Sequence, residues 1–248
     1  MGAFLMKAMI FAAGLGTRLR PLTDTVPKAL VPVGDVPMLQ RIIDKLYSAG
    51  IDEIVVNVCH LKQKVYDYLS GHRQKAEVLL SDEDGTEPLE TGGGIKHAAP
   101  LLGKGRFLVH NVDILSNLDL KWFMGQDRGD SLATLLLVDA PADRYLLFDD
   151  DMRLVGWTNV RTGEVKSPFR NFNPDNYRRY SFCGIQILSD EAFSLMESWP
   201  DRFSIIDFYL KSASEHPVYG VLARDLKIID IGTPEKLLEA SLRLGEFQ

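Results

Sequence analysis

Three clusters of residues in this chain have the types and spacing that chemistry requires. The first is the string Ala12-Ala13-Gly14-Leu15-Gly16-Thr17-Arg18-Leu19-Arg20-Pro21-Leu22-Thr23, followed by Pro27-Lys28-Ala29-Leu30-Val31-Pro32. Glycines directly after an apolar run let backbone N–H groups approach an anion closely. Arg18 can grip phosphate oxygens with two parallel hydrogen bonds, and Lys28 adds a compact point charge. Through Gly34 the chain carries Lys7, Arg18, Arg20 and Lys28 against Asp24, a local excess of +3 in a chain of net charge −6. That asymmetry points to an anionic ligand. Two better-known glycine loops are excluded by spelling. Leu19 stands where G-x-G-x-x-G needs its third glycine, and G-x-x-x-x-G-K-[ST] is absent.

The second cluster is a pair of distant aspartates. Asp113 follows Phe107-Leu108-Val109-His110, and Asp230 follows Lys227-Ile228-Ile229. Both runs read as strands, and ligands gather at the carboxyl ends of strands in open α/β sheets. Two carboxylates converging there repel each other unless a cation lies between them. Taken singly, an aspartate at a strand end is more often a turn or helix cap. The third cluster is Glu87-Pro88-Leu89-Glu90-Thr91-Gly92-Gly93-Gly94-Ile95. Residues 82–90 hold five acids and no base, the wrong place for phosphates. A carboxylate there can instead accept N–H donors from the edge of a base. Further along, Lys166 in Gly163-Glu164-Val165-Lys166-Ser167-Pro168 reads by itself as a solvated loop lysine, and Arg178 and Arg179 stand close before the next strand. Gly184 in Phe182-Cys183-Gly184-Ile185 reads either as a close approach of backbone to ligand or as a strand bulge.

These residues need elements to hold them. Residues 9–13 form a short buried strand ended by Gly14. Residues 38–49 carry apolar side chains at helical spacing and stop at Gly50. Strands are expected at 53–58, 77–80, 107–110 and 132–138, with helices at 62–69 and 92–102. Strands alternating with helices predict βαβ units, hence a mostly parallel sheet covered on both faces. Residues 145–156 read as a hairpin and 158–180 as a long functional loop. A strand at 181–188, helices at 191–198 and 205–212, a strand near Val218 and a final strand at 227–229 follow. The closing helix, 234–244, has Thr233 as its N-cap and Pro234 at its first position. One domain is expected over 1–248.

Composition narrows the function. With 46% apolar and 25% charged residues, the 248-residue chain has an ordinary soluble balance and can bury a full core. Its acidic charge argues against a general nucleic-acid binder. Cys59 and Cys183 are far apart and outside any C-x-x-C, which argues against a disulfide scaffold or zinc site and fits a reducing compartment. No apolar run approaches 18 residues, so no membrane span is expected. Met1-Gly2-Ala3-Phe4-Leu5 lacks the cationic lead of a signal peptide and reads as an extension before Met6-Lys7-Ala8. The histidines lack zinc-ligand spacing, and no G-x-S-x-G elbow occurs.

The run Ala12 to Thr23 with Pro27-Lys28 resembles the signature of the sugar-1-phosphate nucleotidyltransferases, and the similarity covers residues 7 to about 244. The resemblance implies an α/β, Rossmann-like, GT-A-like nucleotidyltransferase fold, with an NTP-binding part over about 7–140 and a sugar-phosphate-binding excursion over about 141–188. It implies transfer of NMP from an NTP to a sugar 1-phosphate, giving NDP-sugar and pyrophosphate. Arg18 and Lys28 would be catalytic, acting on the β- and γ-phosphates. Ala12, Ala13, Gly14, Leu15, Gly16 and Thr17 would wrap the triphosphate, and Glu87 and Gly92 would meet the base. Asp113 and Asp230 would hold Mg²⁺, and Lys166 and Gly184 would serve the sugar phosphate. Leu89-Glu90-Thr91-Gly92-Gly93-Gly94-Ile95 looks especially like the N-acetylmuramate-1-phosphate uridylyltransferases of cell-wall recycling, with the mannose-1-phosphate guanylyltransferases as competitor. A catalytically silent nucleotide-sugar-binding regulator is a rival from another class. Asn111-Val112-Asp113 departs from the family, which often has glycine before this aspartate. NTP and sugar 1-phosphate are the expected partners, in the cytoplasm, with the chain as a monomer or small homo-oligomer.

Overall fold

The computed structural model describes residues 6–85 and 87–247; the proposed leading extension, residues 1–5, lies outside them. Strand β1 (Lys7–Phe11) sends Ala8 and Ile10 into one apolar layer and Met9 into another. A strand buried on both faces needs such an unbroken apolar run. After it come a small hairpin (β2, Pro32–Val33; β3, Val36–Pro37), α1 (Met38–Ser48), β4 (Glu53–Val58), α2 (Lys62–Gly71), β5 (Glu77–Asp82), α3 (Glu90–Leu102) and β6 (Arg106–Asn111). The chain continues through β7 (Ile114–Ser116), α4 (Leu120–Gly125), β8 (Ala133–Val138), β9 (Arg144–Phe148), β10 (Leu154–Asn159) and β11 (Glu164–Lys166). It ends with β12 (Arg178–Ser189), α5 (Glu191–Met196), α6 (Ile205–Ser212), β13 (Val218–Leu222), β14 (Ile228–Asp230) and α7 (Pro234–Leu242).

A ten-stranded sheet runs β11-β10-β9-β12-β6-β1-β4-β5, with β8 pairing β12 and β13 at the side. The pairs β1–β4, β1–β6, β4–β5 and β8–β13 are parallel, whereas β12 is antiparallel to β6, β8 and β9. This is the expected α/β architecture. Met38, Leu39, Ile42, Ile43 and Leu46 of α1 cover one face. Ile95 and Ala98 of α3, with Phe208 and Tyr209 of α6, cover the other. Among the described residues no helix is long and apolar enough to cross a membrane. Both cysteines are buried and free.

The elements that sequence patterning misplaced are short or exposed. The stretch expected as a loop, 158–180, contains β11, whose residues are all exposed, and the start of β12. Exposed edge strands carry no apolar alternation to read. The two-stranded pairs β2–β3 and β7–β14 are too short for any period. Helix α4 escapes the pattern as well, although Asp119 caps it by accepting hydrogen bonds from the N–H groups of Lys121 and Trp122 at 2.9 and 3.1 Å. Thr233 caps α7 as expected, accepting from the Lys236 N–H.

Two packing constraints yield tests. The N–H groups of Gly92 and Gly93 donate to the Phe203 carbonyl at 2.9 and 3.3 Å. A Cβ on Gly93 would stand 2.0 Å from the Asp201 carbonyl oxygen, which is backbone and cannot swing aside. Gly93→Ala should therefore cost about 3 kcal/mol, read as a lower urea midpoint. Separately, burial drives the His110 imidazole down to about 4. Its Nδ1 lies 2.8 Å from the Asn111 carbonyl oxygen, and its Nε2 is buried with no partner among the described residues. Because the folded-state pKa is lowered, the unfolded chain takes up this proton first between pH 6.5 and 4. Stability should thus fall as pH drops through that window, by up to about 3 kcal/mol from this group. Thermal melts of His110→Leu should show a shallower acid-side slope than the parent.

Candidate active site

The carboxyl ends of β1, β4 and β6 lie side by side, with Phe11 paired to both Asn57 and Asn111. Where the chain leaves β1, the Ala12 N–H donates to Asn57 Oδ1 at 2.7 Å. Asn57 Nδ2 in turn donates to Glu83 Oε1 at 2.6 Å, and the Leu89 N–H donates to Glu83 Oε2 at 2.8 Å. Asn57 and Glu83 are each only 1% exposed. Polar groups buried this deeply need partners, and here their partners lock the glycine turn to the acidic segment. A Cβ on Gly94 would sit 3.0 Å from both Asn57 Nδ2 and Glu83 Oε1, so the third glycine of the run admits this pair. Spacing singles out neither residue. The available signal is a polar residue inside the apolar run 54–58 and one acid among five.

The glycine turn takes its shape from Gly16, at φ +63°. Its carbonyl accepts from the Leu19 N–H at 2.8 Å and from Thr23 Oγ1 at 2.7 Å. A Cβ there would stand 2.8 Å from Thr23 Cγ2, so the turn requires glycine at this position. Ala12 and Ala13 are buried at its start, Leu15 is half-buried, and Gly14 and Thr17 are exposed. A cleft of about 180 Å³ lies between Ala13, Gly14, Lys28, Glu83, Thr91 and Asp113.

Both aspartates reach this region through one short antiparallel strand pair, whose members are distant in the chain. Strand β14 pairs antiparallel with β7, setting Asp230 opposite Ile114, and the Ile231 N–H donates to the Asp113 carbonyl at 3.0 Å. Asp230 is the last residue of β14 rather than the residue beyond it. The Lys28 ammonium forms an ion pair with the Asp113 carboxylate, and both side chains are largely buried. An Arg18 guanidinium nitrogen lies 3.7 Å from Asp230 Oδ2, at a more exposed position. Asp230 Oδ1 accepts from the Gly232 N–H at 2.7 Å, and a Cβ on Gly232 would stand 2.5 Å from the Arg18 guanidinium. The structure therefore brings Arg18, Lys28, Asp113 and Asp230 together. The two carboxylates are an all-oxygen donor pair of the kind that hard divalent cations take. No group of three His, Cys, Asp or Glu with metal-holding geometry occurs among the described residues.

Other sequence-singled residues lie elsewhere. Glu87 is exposed and ion-paired with Arg202, whose Nε also lies 3.3 Å from Glu90. Gly92 packs beneath the ring of Phe203, where a Cβ would come within 2.2 Å. Lys166 Nζ lies 3.1 Å from Asp207 Oδ1 and 5.2 Å from the centroid of Trp157. It lines a second cleft of about 470 Å³ with Arg144, Tyr145, Trp157, Phe182 and Asp207, sharing no residue with the first. Gly184, at φ +73°, sits where β12 slips register against β8. A Cβ there would be 2.5 Å from Asn111 Nδ2, so the bulge lets β12 close on a residue of the first cleft. Arg178 and Arg179 pair with Asp150 and Asp175. Val112 is buried.

Residues 7–144 match the Nucleotidyl transferase family model. The chain is 31% identical over 254 residues to the N-acetylmuramate alpha-1-phosphate uridylyltransferase of Caulobacter vibrioides, covering 96% of this chain and 97% of that protein. It is 29% identical to the mannose-1-phosphate guanyltransferase of Saccharomyces cerevisiae, covering 96% of this chain but 64% of that relative. Among solved structures it is similar to HddC from Yersinia pseudotuberculosis complexed with GMP-PN, with a TM-score of 0.73, 25% identity, and coverage of 96% of this chain and 99% of that one. A family match over more than half its length, and a relative aligned from end to end, place this chain in the nucleotidyl transferase family.

Proposed function

We propose that this protein transfers a uridylyl group from UTP to the 1-phosphate of an amino sugar of the N-acetylmuramate kind, releasing pyrophosphate. The observation that carries the reading is the meeting of Arg18 and Lys28 with Asp113 and Asp230 beside the glycine turn. In the reaction an oxygen of the sugar phosphate attacks the α-phosphorus, and the bond to the β-phosphate bridging oxygen breaks. A sugar phosphate is already anionic near neutral pH, so the step needs no general base. Alignment and charge neutralisation carry the rate. Arg18 and Lys28 stabilise the charge growing on the departing pyrophosphate, while the N–H groups of the glycine turn hold the triphosphate. Asp113 and Asp230 would hold Mg²⁺, whose chemistry there is neutralisation of the α-phosphate and the incoming phosphate. The pyrimidine occupies the cleft walled by Glu83 and Thr91. The sugar lies toward the second cleft, where Lys166 and Trp157 meet it across the Gly184 bulge. The uridylyl donor and the amino-sugar acceptor follow the Caulobacter relative's name. Its place would be nucleotide-sugar supply for the cell wall, in the cytoplasm.

A guanylyl donor is the second reading, supported by the yeast relative and by the solved structure holding GMP-PN. Pyrophosphate release measured with UTP, GTP, CTP, ATP and dTTP against a panel of sugar 1-phosphates decides between them, and the highest kcat/KM should fall to UTP. Asp113→Ala should lower kcat at least about a hundredfold, roughly 3 kcal/mol of transition-state stabilisation. Near-parental turnover in that variant defeats the reading. Nucleotide binding without turnover on any substrate selects a silent regulator instead.

A further inference from the structure

A cavity of about 480 Å³ lies between α1, β7 and the C-terminal turn Leu244–Phe247, and shares no residue with either cleft described above. Its apolar wall comes from Ile42, Leu115, Leu244 and Phe247. Its polar side is unusual for a structural crevice. Arg41 and Lys45, one helical turn apart on the same side of α1, both line it. Neither forms an ion pair among the described residues. Arg41 gives one guanidinium nitrogen to the Val33 carbonyl at 2.5 Å, but its Nε is buried without a partner among the described residues. Lys45 Nζ donates to the Ser116 carbonyl at 2.5 Å and contacts Ser116 Oγ at 3.3 Å. The acids nearby are Asp44, exposed on the rim, and Asp119, whose field acts on Lys45. They leave the pair short of negative charge, and burial drives the Lys45 ammonium down to about 8. Two partly buried cations without an ion-pair partner among the described residues, lining an open space, are built to receive an anion.

We propose that this cavity is a second binding site, for a small organic phosphate whose phosphate sits on Arg41 and Lys45 and whose apolar body lies against Leu115, Leu244 and Phe247. The occupant reaches the active site through one bond. Lys45 holds the carbonyl of Ser116 in β7, and β7 carries Asp113 just before it and pairs with β14, which carries Asp230. An anion that draws the ammonium away from Ser116 loosens the β7–β14 ladder that sets both aspartates, and so lowers turnover. Binding stands apart from the proposed reaction, whereas the effect on turnover rests on it.

The test is isothermal titration of the full chain with phenyl phosphate, with inorganic phosphate and phenol as separate arms. Phenyl phosphate should bind more tightly than either arm, and Arg41→Gln and Lys45→Gln should each weaken it at least tenfold. Lys28→Gln, in the catalytic cleft, should leave it unchanged. Ser48→Glu, which adds an anion at an exposed position of the cavity, should weaken binding even if the α1 cation variants fold poorly. Phenyl phosphate should also slow pyrophosphate release by the parent and not by Arg41→Gln. No heat with the parent, parental binding by both cation variants, or loss only in Lys28→Gln overturns the proposal. Absence of pyrophosphate release with every nucleotide, with the titration results intact, overturns the proposed function and leaves this site standing.

Discussion

The ion pair between Lys28 and Asp113 is the contact on which the site turns. Its partners stand 85 residues apart and sit mostly out of water. Neither charge is tolerable there alone, since removing one partner of a buried pair strands the other. The pairing requires β1 and β6 to lie side by side and parallel, so that the loops leaving them emerge at the same edge. Asp230 joins by another route, through the short antiparallel ladder of β14 on β7 and the bond from Ile231 to the Asp113 carbonyl. The charged cluster is thus assembled by backbone pairing.

A second constraint, without net opposition of charges, shapes the neighbouring cleft. Asn57 and Glu83 satisfy one another and the N–H groups of Ala12 and Leu89. Because these bonds are made within the protein, the glycine turn and the acidic segment keep their spacing before anything binds. Such preorganisation is what makes electrostatic stabilisation effective, since no reorganisation is left to oppose the reaction. The glycine run of α3 has a packing role as well. Each of its three positions abuts another part of the chain, so the run is needed for close approach of α3 to the 201–203 segment and to the Asn57–Glu83 pair.

The antiparallel excursion of β9, β10 and β11 meets the parallel sheet through β12, which pairs with β9 at its start and with β6 at its end. Gly184 lies between these two pairings. Its positive φ lets β12 close on Asn111, which lines the first cleft. Of the two readings of this glycine, the strand bulge is the one its register shift and positive φ display.

Much of this protein is legible in its sequence. The unbroken apolar strands, the helical stripe of α1, the capped start of α7 and the cation-bearing glycine turn depend on neighbours a few residues apart, so local physics displays them. Arg18, Lys28, Asp113 and Asp230 stand out through the full string around the glycine turn and the resemblance it carries, since a glycine pair or a lone acid at a strand end is common in a purely structural role. Other features belong to the tertiary structure alone. The burial of Asn57 and Glu83, the pairing of Glu87 with Arg202, the lodging of Gly92 under Phe203 and the separation of Lys166 from the aspartates all involve partners distant in the chain. No period or motif records which exposed acid will find which arginine, because that choice is made by strand order and register after the chain has closed on itself.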